Sequence, residues 1–351
     1  MKKIPSFKIK PCQIFKWLIQ LLVSAYLVFI ICYFIFRFLF WDSFWVVAFV
    51  SIGIPLILLP LLILPFWFFF VKKRWFFILS SIACLLLLSW LHLTYFSPEP
   101  VKITASQPSL KILSFNCYWN NTTPQALIKL VEQHKPDLLF LQETNAAHAK
   151  KAFPTLKVSY PYHVDAPTIS FFSKYPIQFA ERLNLAGHKQ VQQRAIIRVN
   201  QQDVMIYHIQ VTAPWIRPRK FFSLFSVPTY VYYDRTKEIK DLVERLQKES
   251  LPMIVAGDFN MTDQSQDYDS VKKVLKDAFL ASGFGFGFTW PHGWDVGLIL
   301  KKFHWKLNFP LVRIDYVWYS KHWSSQHSKV LPAVGSDHLP VETYLYLKTN
   351  P

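Results

Sequence analysis

Acidic side chains almost vanish from the first hundred residues of this 351-residue chain, where Asp42 and Glu99 stand alone against nine Lys and Arg. That scarcity excludes an ordinary soluble surface over this stretch, because water-facing helices carry charges of both signs. Cysteine is scarce too. Of four, Cys12, Cys32 and Cys84 precede residue 97, and Cys117 stands alone after it. An internal disulfide is therefore excluded from the polar part of the chain, and no pair has metal-type spacing; Cys12 reads as an inert thiol. No small-residue cleavage site follows the first apolar run, so it reads as an anchor and not as a removed signal. Internal repeats and low-complexity tracts are also missing.

What the first hundred residues do contain is apolar length. A hydrocarbon core of ~30 Å needs about 20 helical residues, and three runs reach that: residues 15–36, 44–71 and 75–96. Pro55, Pro60 and Pro65 interrupt the second, which is expected to cross but to kink or turn back in part, since proline removes a backbone donor and crowds the preceding turn. Lys2, Lys3, Lys8, Lys10 and Lys16 precede the first run, and Lys72, Lys73 and Arg74 fill the loop before the third. Basic residues are retained on the cytoplasmic side. The expected topology is a three-span anchor over residues 1–96 with the amino terminus inside and the rest of the chain extracytoplasmic.

SPEPVKITASQPS, residues 97–109, has the composition of a linker. Thirteen extended residues reach only ~43 Å, which keeps the following domain, 110–351, near the bilayer. The chain carries 39 basic and 22 acidic side chains; nine and two lie in the first hundred residues, which leaves a net +10 beyond them. Such charge suits phosphate-rich partners of either kind, anionic lipid or nucleic acid. Nothing calls for an obligate protein partner.

From residue 110 the pattern changes to short apolar strands: 110–116, 137–143, 168–173, 194–199, 204–209, 253–258, 313–319 and 341–347, with amphipathic helices expected at 123–134 and 235–249. Many strands with a few helices between them predict an α/β sandwich of two packed sheets. Polar residues break these strands at set places. Asn116 and Glu143 end two of them, His208 sits late in VMIYHI, Asp258 and Asn260 lie in GDFN, Asp315 lies inside RIDYVWY, and Asp337 with His338 forms GSDH. Taken singly, the asparagines also read as turn residues, Asp315 as a solvated strand residue, GSDH as a surface turn and His208 as a core histidine. Together they point to one sheet edge, where ligands commonly bind.

FNCYWN, LLFLQET, MIVAGDFN, TWP, RIDYVW and VGSDHLPV resemble the successive motifs of the endonuclease/exonuclease/phosphatase superfamily, the deoxyribonuclease I-like fold, over about residues 110–347. That resemblance implies a four-layer α/β sandwich and a Mg²⁺-dependent phosphohydrolase, with Mn²⁺ as an alternative ion. It implies Glu143 as principal metal ligand, helped by Asn116 and Asp337, which suits a hard cation that takes few carboxylates. Asp258 would orient or deprotonate the attacking water, and Asn260 would donate to the phosphoryl oxygens. His338 would act as base or charge stabiliser with Asp315 fixing its tautomer, and His208 would bind phosphate or protonate the leaving group. Tyr118 departs from nuclease branches of the family, which place Asp there. With its apolar runs, the chain further resembles bacterial membrane proteins of the VanJ-like type, associated with glycopeptide resistance.

Two substrates compete at this stage: a lipid-linked phosphate or pyrophosphate at the outer leaflet, and nucleic acid cut by an extracytoplasmic nuclease. RPRKFFSLFSVPTYVYY, 217–233, follows His208 and is too short and too polar at its ends to cross a membrane. It is expected to form a loop rimming the site, with Arg217, Arg219 and Lys220 meeting lipid phosphates while Phe221, Phe222, Leu224 and Phe225 enter the acyl boundary; core packing is the other reading. GFGFGF, 283–288, lacks a following helix and so does not read as a nucleotide-phosphate loop. It is expected to be a flexible loop presenting Phe284, Phe286 and Phe288 near the site, or simple packing. His292, His304, His322 and His327 lack ligand spacing.

Overall fold

A computed structural model describes residues 11–98, 109–121, 123–221, 225–295, 297 and 305–348, with backbone alone at 11–12, 219–221 and 225–228. Five helices make the amino-terminal unit: α1 (Pro11–Phe40), α2 (Trp45–Ile52), α3 (Ile54–Ile57), α4 (Leu64–Phe70) and α5 (Arg74–Tyr95). Among the described residues, two stretches are long and apolar enough to cross a membrane, Gln13–Ser43 and Arg74–Tyr95. The middle run, expected as one crossing, is broken: Trp45–Ile52 and Ile54–Phe70 meet at 73°. Pro55 and Pro65 start new helical turns there, and Pro60 sits in a 3₁₀ turn between them. Polar groups inside the unit pair with each other. Tyr26 donates to the Ile57 carbonyl at 2.9 Å, and Arg37 donates to Ser51 and Tyr33 at 2.9 and 3.1 Å. Outward, Trp17, Leu21, Phe38, Phe70, Trp75 and Leu93 are exposed.

The remaining elements run β1 (Ser109–Asn116), α6 (Pro124–His134), β2 (Leu138–Gln142), α7 (Phe153–Ser159), β3 (Tyr162–Asp165), β4 (Ile169–Ser173), β5 (Ile177–Leu183), β6 (Gln192–Val199) and β7 (Gln202–Gln210). They continue as β8 (Trp215–Phe221), β9 (Phe225–Val231), α8 (Tyr233–Leu246), β10 (Met253–Asp258), α9 (Gln266–Lys272), β11 (Lys276–Asp277) and α10 (Ala278–Ser282). Last come β12 (Trp294–Asp295), β13 (Lys306–Leu307), β14 (Asp315–Tyr319), β15 (Trp323–Val330) and β16 (Val341–Leu347).

Two six-stranded mixed sheets result, in the orders β15-β16-β1-β2-β4-β3 and β11-β14-β10-β7-β6-β5. Leu110, Ile112, Phe140 and Phe171 of the first pack against Ile197, Ile206, Ile254 and Val317 of the second. On the outer faces, α6 and α7 cover the first sheet through Leu127, Val131 and Leu156. Helices α8 and α9 cover the second through Ile239, Leu242 and Val271. The order is thus helix, sheet, sheet, helix. The central strands are apolar throughout because both of their faces are buried.

The pairing brings the polar residues to one end. Strands β1 and β2 run parallel with Asn116 opposite Gln142, and β7 and β10 run parallel with Gln210 opposite Asp258. Strand β14 is antiparallel to β10 and opens on Asp315, opposite Asp258; β16 is antiparallel to β1, so its lead-in carries Asp337 and His338 to the same edge. The stretch after His208 is not a loop but the hairpin β8–β9, with Pro218 opposite Pro228. A two-stranded ribbon has two free edges, so proline's missing donor is tolerated there. Phe222 and Leu224 lie outside the described residues, as do the side chains of Arg219, Lys220, Phe221 and Phe225; Arg217 is exposed.

The glycine-rich segment is no flexible loop at the site. The Phe286 ring lies 4.9 Å from the Tyr95 ring, tilted against it, and Phe284 lies 5.1 Å from Phe96, while Gly285 N donates to the Tyr95 carbonyl at 2.7 Å. It clasps the end of α5.

Candidate active site

Each site residue occupies a place where the chain leaves a buried strand. In GDFN, Gly257 is needed because a Cβ there would lie 1.8 Å from the Ile209 carbonyl oxygen of β7, at φ 142°. The two strands therefore close up, and Asp258, 1% exposed, emerges at the edge between them. Asn260 turns the chain with φ 46°, and Glu143 does the same after β2 with φ 51°. Asparagine tolerates that left-handed conformation best among non-glycine residues; glutamate does not, and strain at such a position is common where function fixes the backbone.

Hydrogen bonds join the two sheets across the edge. Asn116 Nδ2 donates to Glu143 Oε1 and to Asp258 Oδ2, each at 3.0 Å, while its Oδ1 accepts from Tyr118 N at 3.0 Å. Asn116 was expected to help ligate a metal. Its oxygen accepts one backbone donor, and its amide nitrogen holds two carboxylates. Glu143 also accepts from Gln210 Nε2 at 3.2 Å and from Trp119 N at 3.2 Å. Asp258 accepts from Asn260 N at 2.9 Å and from Asn260 Nδ2 at 3.1 Å.

His338 Nδ1 donates to Asp315 Oδ2 at 2.9 Å, and one polar atom from each of Asp258, Asp315 and His338 lies within 4.8 Å of the others. Burial alone would lower the imidazole's pKa. The Asp315 carboxylate, with Asp258 and Asp337 behind it, outweighs burial and lifts it to about 10. His338 is thus an imidazolium at neutral pH, which favours charge stabiliser over base among its two expected roles. Burial, then Asp315 and Glu143, push Asp258 up to about 8 against the pull of His338. Asp337 is raised by burial; Trp290 Nε1 donates to its Oδ2 at 3.2 Å, which gives the TWP motif its purpose.

His208 requires a correction. It is fully buried, accepts from Gln142 Nε2 at 2.6 Å and donates from Nδ1 to Gln193 at 3.1 Å. Burial holds it well below its ordinary pKa, so it is a neutral core histidine with both ring nitrogens occupied. Two residues on, Gln210 shares its face and reaches Glu143. Gln210 was missed, because an uncharged amide closing a strand gives no chemical signal.

An open cleft of about 330 Å³ lies over this edge, lined by Trp119, Glu143, Gln210, Thr212, Trp215 and Asn260 among others. A larger depression, about 520 Å³, sits between β3 and β5 and touches none of the site residues. The donor set suits a hard divalent cation. Among the described residues the buried oxygens Asp315 Oδ1 and Asp337 Oδ1 have no hydrogen-bond partner, and Asp258 and Asp337 each feel the charge of Glu143. A buried carboxylate oxygen left without a donor or cation is costly.

The sequence pattern of the Endonuclease/Exonuclease/phosphatase family matches residues 113–338, well over half the chain and all of the site. The chain belongs to this family. Solved structures agree in fold. A family protein from Bacteroides thetaiotaomicron is 16% identical, with a TM-score of 0.51 over 71% of this chain and 98% of that one. A conserved protein of unknown function from Enterococcus faecalis V583 is 15% identical, with a TM-score of 0.52 over 68% and 100%. One from Bacteroides vulgatus is 16% identical, with a TM-score of 0.50 over 69% and 100%. No curated protein matches the chain. Membership makes it a hydrolase of the phosphatase and nuclease kind, in a family that generally uses divalent metals. Asn116, Glu143, Asp258, Asn260, Asp315, Asp337 and His338 all fall within the matched residues.

Proposed function

We propose that this chain is a membrane-anchored, Mg²⁺-dependent phosphoester hydrolase of the VanJ-like type, acting on lipid-linked phosphate or pyrophosphate at the extracytoplasmic face. Gln13–Ser43, the bent middle segment and Arg74–Tyr95 would supply three crossings, with the amino terminus inside. One observation carries the chemistry: Glu143 and His338 from the first sheet and Asp258, Asn260 and Asp315 from the second meet at one edge of the sandwich.

Glu143, Asp337 and Asp258 would hold the cation, which supplies charge neutralisation on the phosphoryl oxygens. Asp258, fixed by Asn116 and Asn260, is placed to orient the attacking water and take its proton. The His338 imidazolium faces the charge that develops on the phosphoryl group, kept in place by Asp315. Asn116 and Gln210 hold Glu143 in position.

Lipid is favoured over nucleic acid by continuity with the apolar unit. Trp215 lines the cleft and is 61% exposed, and it begins the hairpin whose second strand carries Tyr230 next to its end at Val231. Tyr230 and Tyr232 pack on Ala48, with Trp45 and Ile52, along α2. An apolar wall therefore runs from a bundle mantled in exposed Phe, Leu and Trp to the mouth of the cleft. An extracytoplasmic nuclease is the second reading, favoured by the net charge of +17 and by exposed Trp119 and Trp215, on which bases could stack.

Turnover by the full chain in nanodiscs with Mg²⁺ separates these. A polyprenyl pyrophosphate should be hydrolysed, with single- and double-stranded DNA left intact; DNA cleavage without lipid turnover would refute the lipid assignment.

A further inference from the structure

The helical unit and the sandwich meet at a buried ionic junction that ends on the catalytic loop. Arg235 of α8 is 3% exposed. Its Nε donates to Asp267 Oδ2 at 2.8 Å, and its Nη1 donates to the main-chain carbonyl of Asn260 at 2.8 Å. The same guanidinium lies 5.7 Å from the Tyr232 ring and meets the Tyr230 hydroxyl at 3.5 Å. Those tyrosines are the ones that pack on α2, where Phe49 lies 5.8 Å from Tyr230. On the other side, Asp42 at the end of α1, 6% exposed, accepts from Gln266 N at 2.6 Å, one residue before Asp267. A buried carboxylate and a buried guanidinium are retained only where partners hold them; Arg235 draws its partners from the sandwich, and Asp42, from the helical unit, reaches across to Gln266 N.

The residue at the end of this chain is Asn260, which turns the chain in the left-handed region with φ 46°. Its carbonyl is fixed by Arg235, and its amide and side chain are fixed by Asp258. We propose that the apolar helical unit is part of the catalytic apparatus and not only an anchor: Asp42 and Arg235 are positioning residues that hold Asn260, and through it Asp258, in working geometry. Undocking the helices would strip Ala48 and Phe49 from the tyrosines that cover Arg235 and leave Gln266 N without its acceptor, and the loop after β10 would relax. Hydrolysis would then depend on an intact bundle even for a substrate that never touches lipid.

The test uses the full chain in nanodiscs with Mg²⁺, and its kinetic arm rests on the proposed hydrolysis. Asp42→Leu, Arg235→Lys and the milder Phe49→Ala are compared with wild type and with Phe38→Ala, a change 90% exposed on α1. Two quantities are read: amide exchange of the segment 259–262 by mass spectrometry, and kcat and KM on bis(p-nitrophenyl) phosphate. The three junction variants should exchange several-fold faster there and lose about tenfold or more in kcat with KM unchanged, while Phe38→Ala changes neither. Unchanged kcat in the folded junction variants, with or without faster exchange, would overturn the proposal. If wild type hydrolyses no phosphoester, the proposed reaction fails instead, and the exchange arm alone decides the coupling.

Discussion

His338 donates its Nδ1 proton to Asp315 at 2.9 Å, a bond that orients the ring and is the foremost of the contacts that hold its charge. The other ring nitrogen is thereby aimed away from Asp315, and the ring stays protonated up to about pH 10. Asp315→Asn keeps the shape and removes the charge. The expected outcome is a fall in kcat of roughly a hundredfold or more, with the His338 pKa dropping from about 10 towards the ordinary imidazole range in an NMR titration. A variant that keeps wild-type kcat would show that the pair has no part in the reaction.

His208 should behave as packing. His208→Leu leaves the side chains of Gln142 and Gln193 without their ring partners, at about 1–3 kcal/mol for each buried group left unpaired. Thermal unfolding followed by tryptophan fluorescence should show the loss, while kcat of the folded fraction stays within a few-fold of wild type. Collapse of kcat at unchanged stability would return His208 to the reaction.

Acid should loosen the first sheet through Glu342. Its side chain is 1% exposed, and burial would raise its pKa, but Lys329 at 3.0 Å, His134 at 2.6 Å and Lys111 at 3.1 Å bring it below the usual carboxylate value. A carboxyl whose folded pKa is depressed contributes stability above its unfolded pKa and loses it as pH falls through the folded value. Unfolding midpoints should therefore drop from pH 7 to pH 4 more steeply in wild type than in Glu342→Gln. Parallel curves would exclude the carboxylate as the source.

Much of this site was legible in the sequence because the sandwich leaves polar residues only a few places to go. Asp258, Asp315 and Glu143 stand out as charges interrupting strands that are otherwise apolar on both faces, and the pairing register brings them together. His208 gave the same signal for the opposite reason: Gln142 and Gln193 wait for it inside the sheets, and a pattern of alternating faces cannot show a partner 66 residues away. Strand β15, WSSQHSKV, escaped notice because an edge strand needs little apolar content. The hairpin was hidden by its two prolines, and Asp42 and Arg235 gave no signal because the groups they meet, Gln266 and Asp267, lie 224 and 32 residues away.

The most direct test of the central claim is release of inorganic phosphate from a nanodisc-held polyprenyl pyrophosphate by the full chain, wild type against Glu143→Ala. Mg²⁺ should sustain turnover in wild type and EDTA should abolish it, while Glu143→Ala, folded to the same unfolding midpoint within a few degrees, should lose at least a hundredfold in rate. Equal rates in Glu143→Ala and wild type, or turnover indifferent to EDTA, would contradict a metal-dependent hydrolase built on this sheet edge.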